Sequence, residues 1–252
     1  MENRTEYAQA LMRYLDCPCQ YFDPMLDDDP LMEAVEKAKV EGFFPVIVPV
    51  DETLLECLVM NGDPDCDGMD FDAEKVAAYR KRILESALPD WEDWISELQE
   101  SQREDMEADG ISWEEVFDNE DAEEPEANDR LCGYWDYDTE MTMPLILAKI
   151  PAKNPWEIFA WLPFGGWNEC PDTLWQMAAA KHWYEKFGAV PAVVTHDVLE
   201  YTLPEIPDPE DTHELALEQY AFCPDIVDQG VGSVKTLEDG LALSNVWYFW
   251  WD

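Results

Sequence analysis

Val246 to Trp251 reads VWYFWW, six apolar residues in succession, five of them aromatic. A strand with one face in water alternates apolar and polar residues, whereas a strand covered on both faces reads as an unbroken apolar run. The segment is therefore expected to lie inside a sheet with helices on both sides, where each ring buries on the order of 150–250 Å². The other reading is an exposed docking strand, which at this apolarity is an aggregation hazard. In either place the indole N–H and phenol O–H groups need partners.

The rest of the chain has the opposite character. Of 252 residues, 58 are Asp or Glu and 15 are Lys or Arg, a formal net charge of −43. Self-repulsion of that size destabilises a compact state, and disordered acidic chains are poor in aromatics. This chain carries 12 Trp, 10 Tyr and 10 Phe, so an aromatic core under an acidic shell is expected. The shell repels nucleic acid and anionic membrane and attracts basic proteins and metal cations. No apolar stretch approaches the roughly 18 residues of a membrane span. The start, MENRTEYAQALMRYLD, is a charged amphipathic helix without the apolar centre of a secretory signal. The 7 cysteines are scattered and odd in number, which suits reduced thiols in a cytoplasm.

Periodicity and punctuation give the elements. Helices are expected over 1–16, over DDDPLMEAVEKAKVEG with Pro30 in its first turn, and over DFDAEKVAAYRKRILESAL. DWEDWISELQESQREDMEADG is amphipathic through Trp91, Trp94, Ile95 and Leu98. FFPVIVPV is β-branched and strand-like, but Pro45 and Pro49 argue for an edge or a bulge. LLECLVM fits strand or helix. PLILAKI and WEIFAWLPF read as two strands around a PAKNP turn. A helix bounded by Asp172 and Gly188 follows, then the strand VPAVVTHD, so Trp156–Asp197 reads as a strand–helix–strand unit of a parallel sheet. DTHELALEQYAF and SVKTLEDGLAL are further helices. The expected fold is α/β: a mixed, partly parallel sheet flanked by helices, in a single domain over 1–252. An acidic helical and loop insertion over 71–143 precedes the C-terminal α/β core at 144–252. Between Asp90 and Met143, 21 acidic residues face only Arg103 and Arg130, and FDNEDAEEPEANDR reads as an exposed loop.

WLPFGGWNECPD, KHWYEKFGAVPAVVTHDVLEY, ALEQYAFCPDIVDQG and the final WYFWWD occur in this order over roughly the last hundred residues. Together they resemble the bacterial family known as domain of unknown function 4253. The resemblance implies a cytoplasmic bacterial protein with a compact C-terminal α/β domain, and it carries no catalytic residues.

Three groups of residues are candidates for chemistry. Asp63, Asp65, Asp67, Gly68 and Glu74 fit the spacing of a calcium-binding EF-hand loop. Pro64 and Asp70 depart from that pattern, and a solvated acidic turn is the other reading. Calcium or another divalent cation is the one candidate cofactor, and the preferred reading has none. THD at 195–197 ends a predicted parallel strand, where α/β folds hold ligands. His196 and Asp197, with Trp167, Asn168, Glu169 and His182, form a candidate pocket; a structural His–Asp contact is the blander reading. Glu120, Asp121, Glu123, Glu124 and Glu126 are the candidate contacts for a basic partner. No phosphate-binding glycine loop or nucleophile elbow is present. The leading expectation is a non-enzymatic acidic interaction protein that binds a basic protein, by analogy a toxin's immunity partner. The alternative is a small-molecule enzyme or ligand-binding domain at the 167–197 pocket.

Overall fold

A computed structural model describes residues 2–66, 68–119 and 124–252. The chain opens with helix α1 (Glu2–Leu15), strand β1 (Cys19–Phe22), helix α2 (Asp29–Val40), strand β2 (Phe44–Pro49) and helix α3 (Glu52–Gly62). Helices α4 (Ala73–Glu85), α5 (Trp91–Asp109) and α6 (Trp113–Phe117) follow, then a small hairpin of β3 (Trp135–Asp136) and β4 (Met141–Thr142). After β5 (Leu145–Ile150) come helix α7 (Thr173–Phe187), strands β6 (Val190–Val194) and β7 (Val198–Thr202), and helix α8 (Thr212–Phe222). Helix α9 (Val234–Leu241) and strand β8 (Val246–Trp250) end the chain.

Local chemistry explains several boundaries. Asp172 accepts the N–H groups of Leu174 and Trp175 at the start of α7, and Gly188 closes that helix at φ 71°, a left-handed conformation suited to glycine. Asp90 caps α5 through the N–H of Asp93. LLECLVM is helical, with Asp51 capping α3 through the N–H of Leu54.

The main sheet has the order β1-β5-β2-β6-β7-β8 and is antiparallel except where β2 meets β6. The fold is α/β, with a mixed, partly parallel sheet between helices. Neighbouring residues of β2 and β5 alternate between two cores. Val46, Val48, Ile146 and Ala148 face the larger one, with α1, α3, α7 and α8. Ile47, Leu145 and Leu147 face a smaller one beneath α2, with Leu31 and Val35. Both strands are therefore apolar at nearly every position. The acidic stretch is not separate from the core, since Val76, Ile83, Trp91 and Ile95 of α4 and α5 pack into the larger cluster.

Three expectations are corrected, and two strands that the sequence reading did not assign are present. WEIFAWLPF is not a strand: Pro155–Ala160 is a 3-10 segment. Its first turn is fixed by Glu157, which accepts the Lys153 N–H at 2.9 Å and the Asn154 side-chain amide at 2.8 Å. The parallel pair is consequently β2 with β6, far apart in sequence, and not a local strand–helix–strand unit. Secondly, β2 is central despite its prolines. Pro45, Ile47 and Pro49 share one parity, and the parallel pairing with β6 is confined to Ile47 opposite Val193, between the two missing donors. Thirdly, β8 is an edge strand. Trp247 and Phe249 are buried, while Tyr248 is 37% exposed, so the aromatic run does alternate; Tyr248 provides the outward, partly wet position. Finally, CQYF and VLEYT are the strands β1 and β7, which proline punctuation and the short strand length hid.

Candidate functional site

Because β2 and β6 run in the same direction, their carboxyl ends meet at one edge of the sheet, where α/β proteins hold ligands. Asp51 follows β2 and His196 follows β6. His196 Nδ1 lies 2.9 Å from Asp51 Oδ2, and Nε2 lies 3.5 Å from Asp197 Oδ2. The same Asp51 oxygen accepts the Leu54 N–H at 3.0 Å, so α3 orients the carboxylate that orients the imidazole. Thr195 Oγ1 donates to Asp197 Oδ1 at 2.7 Å and accepts the Val198 N–H at 2.7 Å, fixing the turn between β6 and β7.

The electrostatics favour a charged pair. The hydrogen bond to Asp51 raises the His196 pKa; burial opposes this and the charge of Asp197 adds to it. Burial pushes the Asp51 carboxyl up, but the His196 bond and the Leu54 N–H outweigh it and hold the group below its usual value. With a carboxylate facing each ring nitrogen, at 2.9 and 3.5 Å, His196 is held toward its protonated form and away from general-base work.

One wall of the site is the β3–β4 hairpin, and a buried carboxylate holds it against the sheet. Glu200 of β7 accepts the N–H groups of Cys132 at 2.9 Å and Gly133 at 3.0 Å. Burial raises its pKa, and those two N–H groups pull the other way. The backbone at Gly133 comes close to β7: a Cβ there would sit 2.9 Å from Val198 Cγ1 and 3.1 Å from Glu200 Oε2 and would push those side chains aside. Cys132 Sγ lies 3.4 Å from Glu200 Oε1. Burial and that carboxylate push its pKa up to about 11, so the thiol is protonated at neutral pH and is not an activated nucleophile. At the hairpin's base, Tyr134 Oη donates to Asp28 Oδ2 at 2.6 Å, while Arg130 contacts Oδ1 of the same carboxylate at 3.2 Å.

Between hairpin and sheet lies a cleft of about 920 Å³. Its acids are Asp51, Asp136, Asp138 and Asp197; its rings are Trp135, Tyr137, Tyr248 and Trp250. Among the described residues that line it, none is Lys or Arg, and His196 is the sole ionisable base. The outward residues of the edge strand thus form part of a ligand-sized wall.

The six residues of the expected pocket are not brought together. His196 and Asp197 line the cleft. His182 lies on α7, stacked on Trp91 with ring centroids 5.1 Å apart and bonded to Glu218 at 3.1 Å. Trp167 donates to the Phe164 carbonyl, Asn168 donates to the carbonyl of Asp252, and Glu169 is exposed. In the calcium-like loop, Asp63 and Asp65 converge on an ammonium of the chain itself, Lys75 Nζ, at 2.7 and 2.9 Å. Glu74 is exposed, and Asp67 lies outside the described residues. Of the proposed partner contacts, Glu120, Asp121 and Glu123 lie outside the described residues, while Glu124 and Glu126 are exposed. Sequence reading missed Asp51, the hairpin and Glu200. Asp51 directly follows a strand-like run and precedes a helix, which is the signal that was available.

Residues 146–252 match the family described as Domain of unknown function (DUF4253). No curated protein and no solved structure matches the chain. The matched span runs from β5 to β8 and supplies His196, Asp197, Tyr248 and Trp250. Asp51 and the hairpin precede it, so the cleft joins the matched span to the residues before it.

Proposed function

We propose that the protein is a non-enzymatic binding protein for a basic protein partner, and that its cleft seats a Lys or Arg side chain of that partner. The observation that carries this reading is the cleft's lining: four carboxylates, four aromatic rings and no Lys or Arg among the described residues. Aromatic faces attract organic cations and carboxylates pair with them, and the two together discriminate against anions and neutral groups. The chain already makes the contact internally, with the Arg130 guanidinium 5.0 Å from the Trp135 ring centre. The net charge of −43 supports the same class of partner by steering it toward the surface. Against an acid–base or nucleophilic enzyme stand the doubly paired His196 and the protonated Cys132 thiol. A bacterial, cytoplasmic immunity-type role belongs to the same proposal and rests on analogy.

The test is calorimetric titration with an arginine-rich peptide and a glutamate-rich peptide of equal length. Only the basic peptide is expected to bind, with affinity falling as salt rises. Asp136→Asn combined with Asp138→Asn should weaken binding, whereas Glu97→Gln combined with Glu104→Gln on α5 should leave it nearly unchanged. Equal losses in the two double variants would assign the binding to diffuse charge and remove the cleft from it.

A further inference from the structure

The 7 cysteines are free thiols, and two of them face each other: Cys17 Sγ and Cys19 Sγ lie 3.9 Å apart. The chain sets up this contact locally. Helix α1 ends at Leu15, Asp16 turns the backbone at φ 47°, and Pro18 stops any further helix, so Cys19 opens β1. Both sides of the turn are anchored. Leu11 and Leu15 of α1 are fully buried, the Pro18 carbonyl accepts the Lys149 N–H at 2.9 Å, and Cys19 stands opposite Ala148 of β5. Both cysteines are half-buried and Pro18 between them is exposed, so the pair lies at the protein surface. Residues two apart have Cα atoms at most about 7 Å from each other, and a disulfide spans roughly 4.4–6.8 Å between Cα atoms. Closing the pair therefore asks for side-chain rotation with little movement of the anchored backbone.

The other thiols are differently placed. Burial and neighbouring carboxylates push Cys57 and Cys132 up to about 11, and Cys170 and Cys223 are buried. At the pair, a hydrogen bond from the Cys17 thiol lowers the pKa of Cys19, with burial opposing it. The same bond, and then burial, raises that of Cys17, while the Arg80 guanidinium, held on the Tyr14 carbonyl at 2.8 Å, pulls it down. Cys19 is thus the nucleophile and Cys17 the resolving thiol. Two thiols also suit a metal, but a tetrahedral site needs further ligands. Among the described residues, no third Cys, His, Asp or Glu ligand atom converges with these two.

We infer that Cys17 and Cys19 form a dithiol site that reduces small disulfides and closes to an intramolecular disulfide. The Cys19 thiolate attacks one sulfur of the external disulfide, whose S–S bond breaks and releases one thiolate. Cys17 then attacks the Cys19 sulfur of the mixed disulfide and displaces the second thiolate. The two cysteine protons end on the two released thiols, the protein pair is oxidised by two electrons, and the external disulfide is reduced by two. The site is independent of the function proposed for the cleft.

The probe is bis(2-hydroxyethyl) disulfide, an uncharged reagent, added to the folded full-length chain. Samples are quenched in acid, alkylated, digested with trypsin and weighed; the tryptic peptide 14–37 contains both cysteines and no other. It is expected to lose two hydrogens and carry no reagent, and dithiothreitol should restore both thiols. Its closure should be at least about tenfold faster than modification of Cys132, because the thiolate fraction favours Cys19. Cys17→Ser removes the resolving thiol and should leave a lasting mixed disulfide on Cys19. The wild-type mass decides the matter even where Cys17→Ser fails to fold. The inference is overturned if the wild-type peptide accumulates reagent adducts without closing, if both of its thiols stay free, or if Cys132 reacts first.

Discussion

Trp183 and Phe249 lie face to face, their ring centroids 5.3 Å apart and their planes 8° from parallel. Trp183 comes from α7 and also meets Trp247, Tyr201 and Phe222 edge-on. One face of the final strand is thus held on an aromatic cluster, while on the other Val246 joins the smaller core and Tyr248 is partly exposed. Phe249→Ala is expected to cost about 3–5 kcal/mol, the range for emptying a buried aromatic site. Tyr248→Ala, on the opposite face, should cost less than about 1 kcal/mol. Denaturant unfolding of the two variants measures the difference. Similar costs would mean that both faces of β8 are buried. Deleting Trp247–Asp252 should abolish the cooperative transition altogether.

That contrast shows where the sequence was readable. The α7 boundaries were legible because Asp172 and Gly188 act within a few residues of the helix they bound. Strand β5 was legible because both of its faces are buried. The place of β8 was not, since five adjacent aromatics look alike in sequence although Tyr248 faces outward. Pro155 and Glu157 turned an apparent strand into a 3-10 segment by side-chain bonds that composition does not reveal. At the site, His196 and Asp197 were found because they end a strand. Asp51 was not, because its contact with His196 depends on the β2–β6 pairing, which joins residues more than a hundred positions apart. Glu200 sits on a strand that was itself unrecognised, and nothing local announces a buried carboxylate.

Lys75 is the resident cation of the acidic loop. Its ammonium bridges Asp63 and Asp65, and the hydrogen bond to Asp63 is the largest cause of its raised pKa. Lys75→Met should lower the unfolding midpoint by leaving the buried Asp63 carboxylate without its counter-charge. Adding Asp63→Asn should recover part of the loss, a coupling that a double-mutant cycle measures. With the ammonium in place, calcium titrations of wild type and Glu74→Gln should give equal heats. A larger heat in wild type would show that a divalent cation uses the loop and Glu74.

The Asp51–His196 pair predicts a pH dependence whose direction is fixed. His196 binds its proton more tightly folded than unfolded, where its pKa is about 6.5. Its contribution to stability is therefore complete below that value and is lost as pH rises through the raised folded value. The difference in unfolding free energy between wild type and His196→Asn should be largest in mild acid and shrink in alkali. Asp51→Asn should move the imidazole titration, followed by NMR, toward lower pH. An unshifted titration would separate the two residues in solution.

Glu200 predicts the opposite problem, a carboxyl that resists ionisation. Burial raises its pKa in the folded protein, and the Cys132 and Gly133 N–H groups only partly offset that. The folded state thus keeps this proton to higher pH than the unfolded state does, whose glutamate titrates near 4.3. Between those values the folded state binds more protons, so stability falls as pH rises through the window. Glu200→Gln removes the titration but also replaces one acceptor oxygen by an amide donor facing a backbone N–H. Its absolute stability is accordingly less informative than its slope: as pH rises above the unfolded value of about 4.3 it should lose less stability than wild type does. Gly133→Ala offers an independent handle, since its Cβ would press on Val198 and on Glu200 itself. It should loosen the hairpin and weaken capture of an arginine-rich peptide while α7 and β8 keep their hydrogen-exchange protection. If exchange instead rises equally across the whole sheet, Glu200 is holding the fold together and not the wall of the cleft.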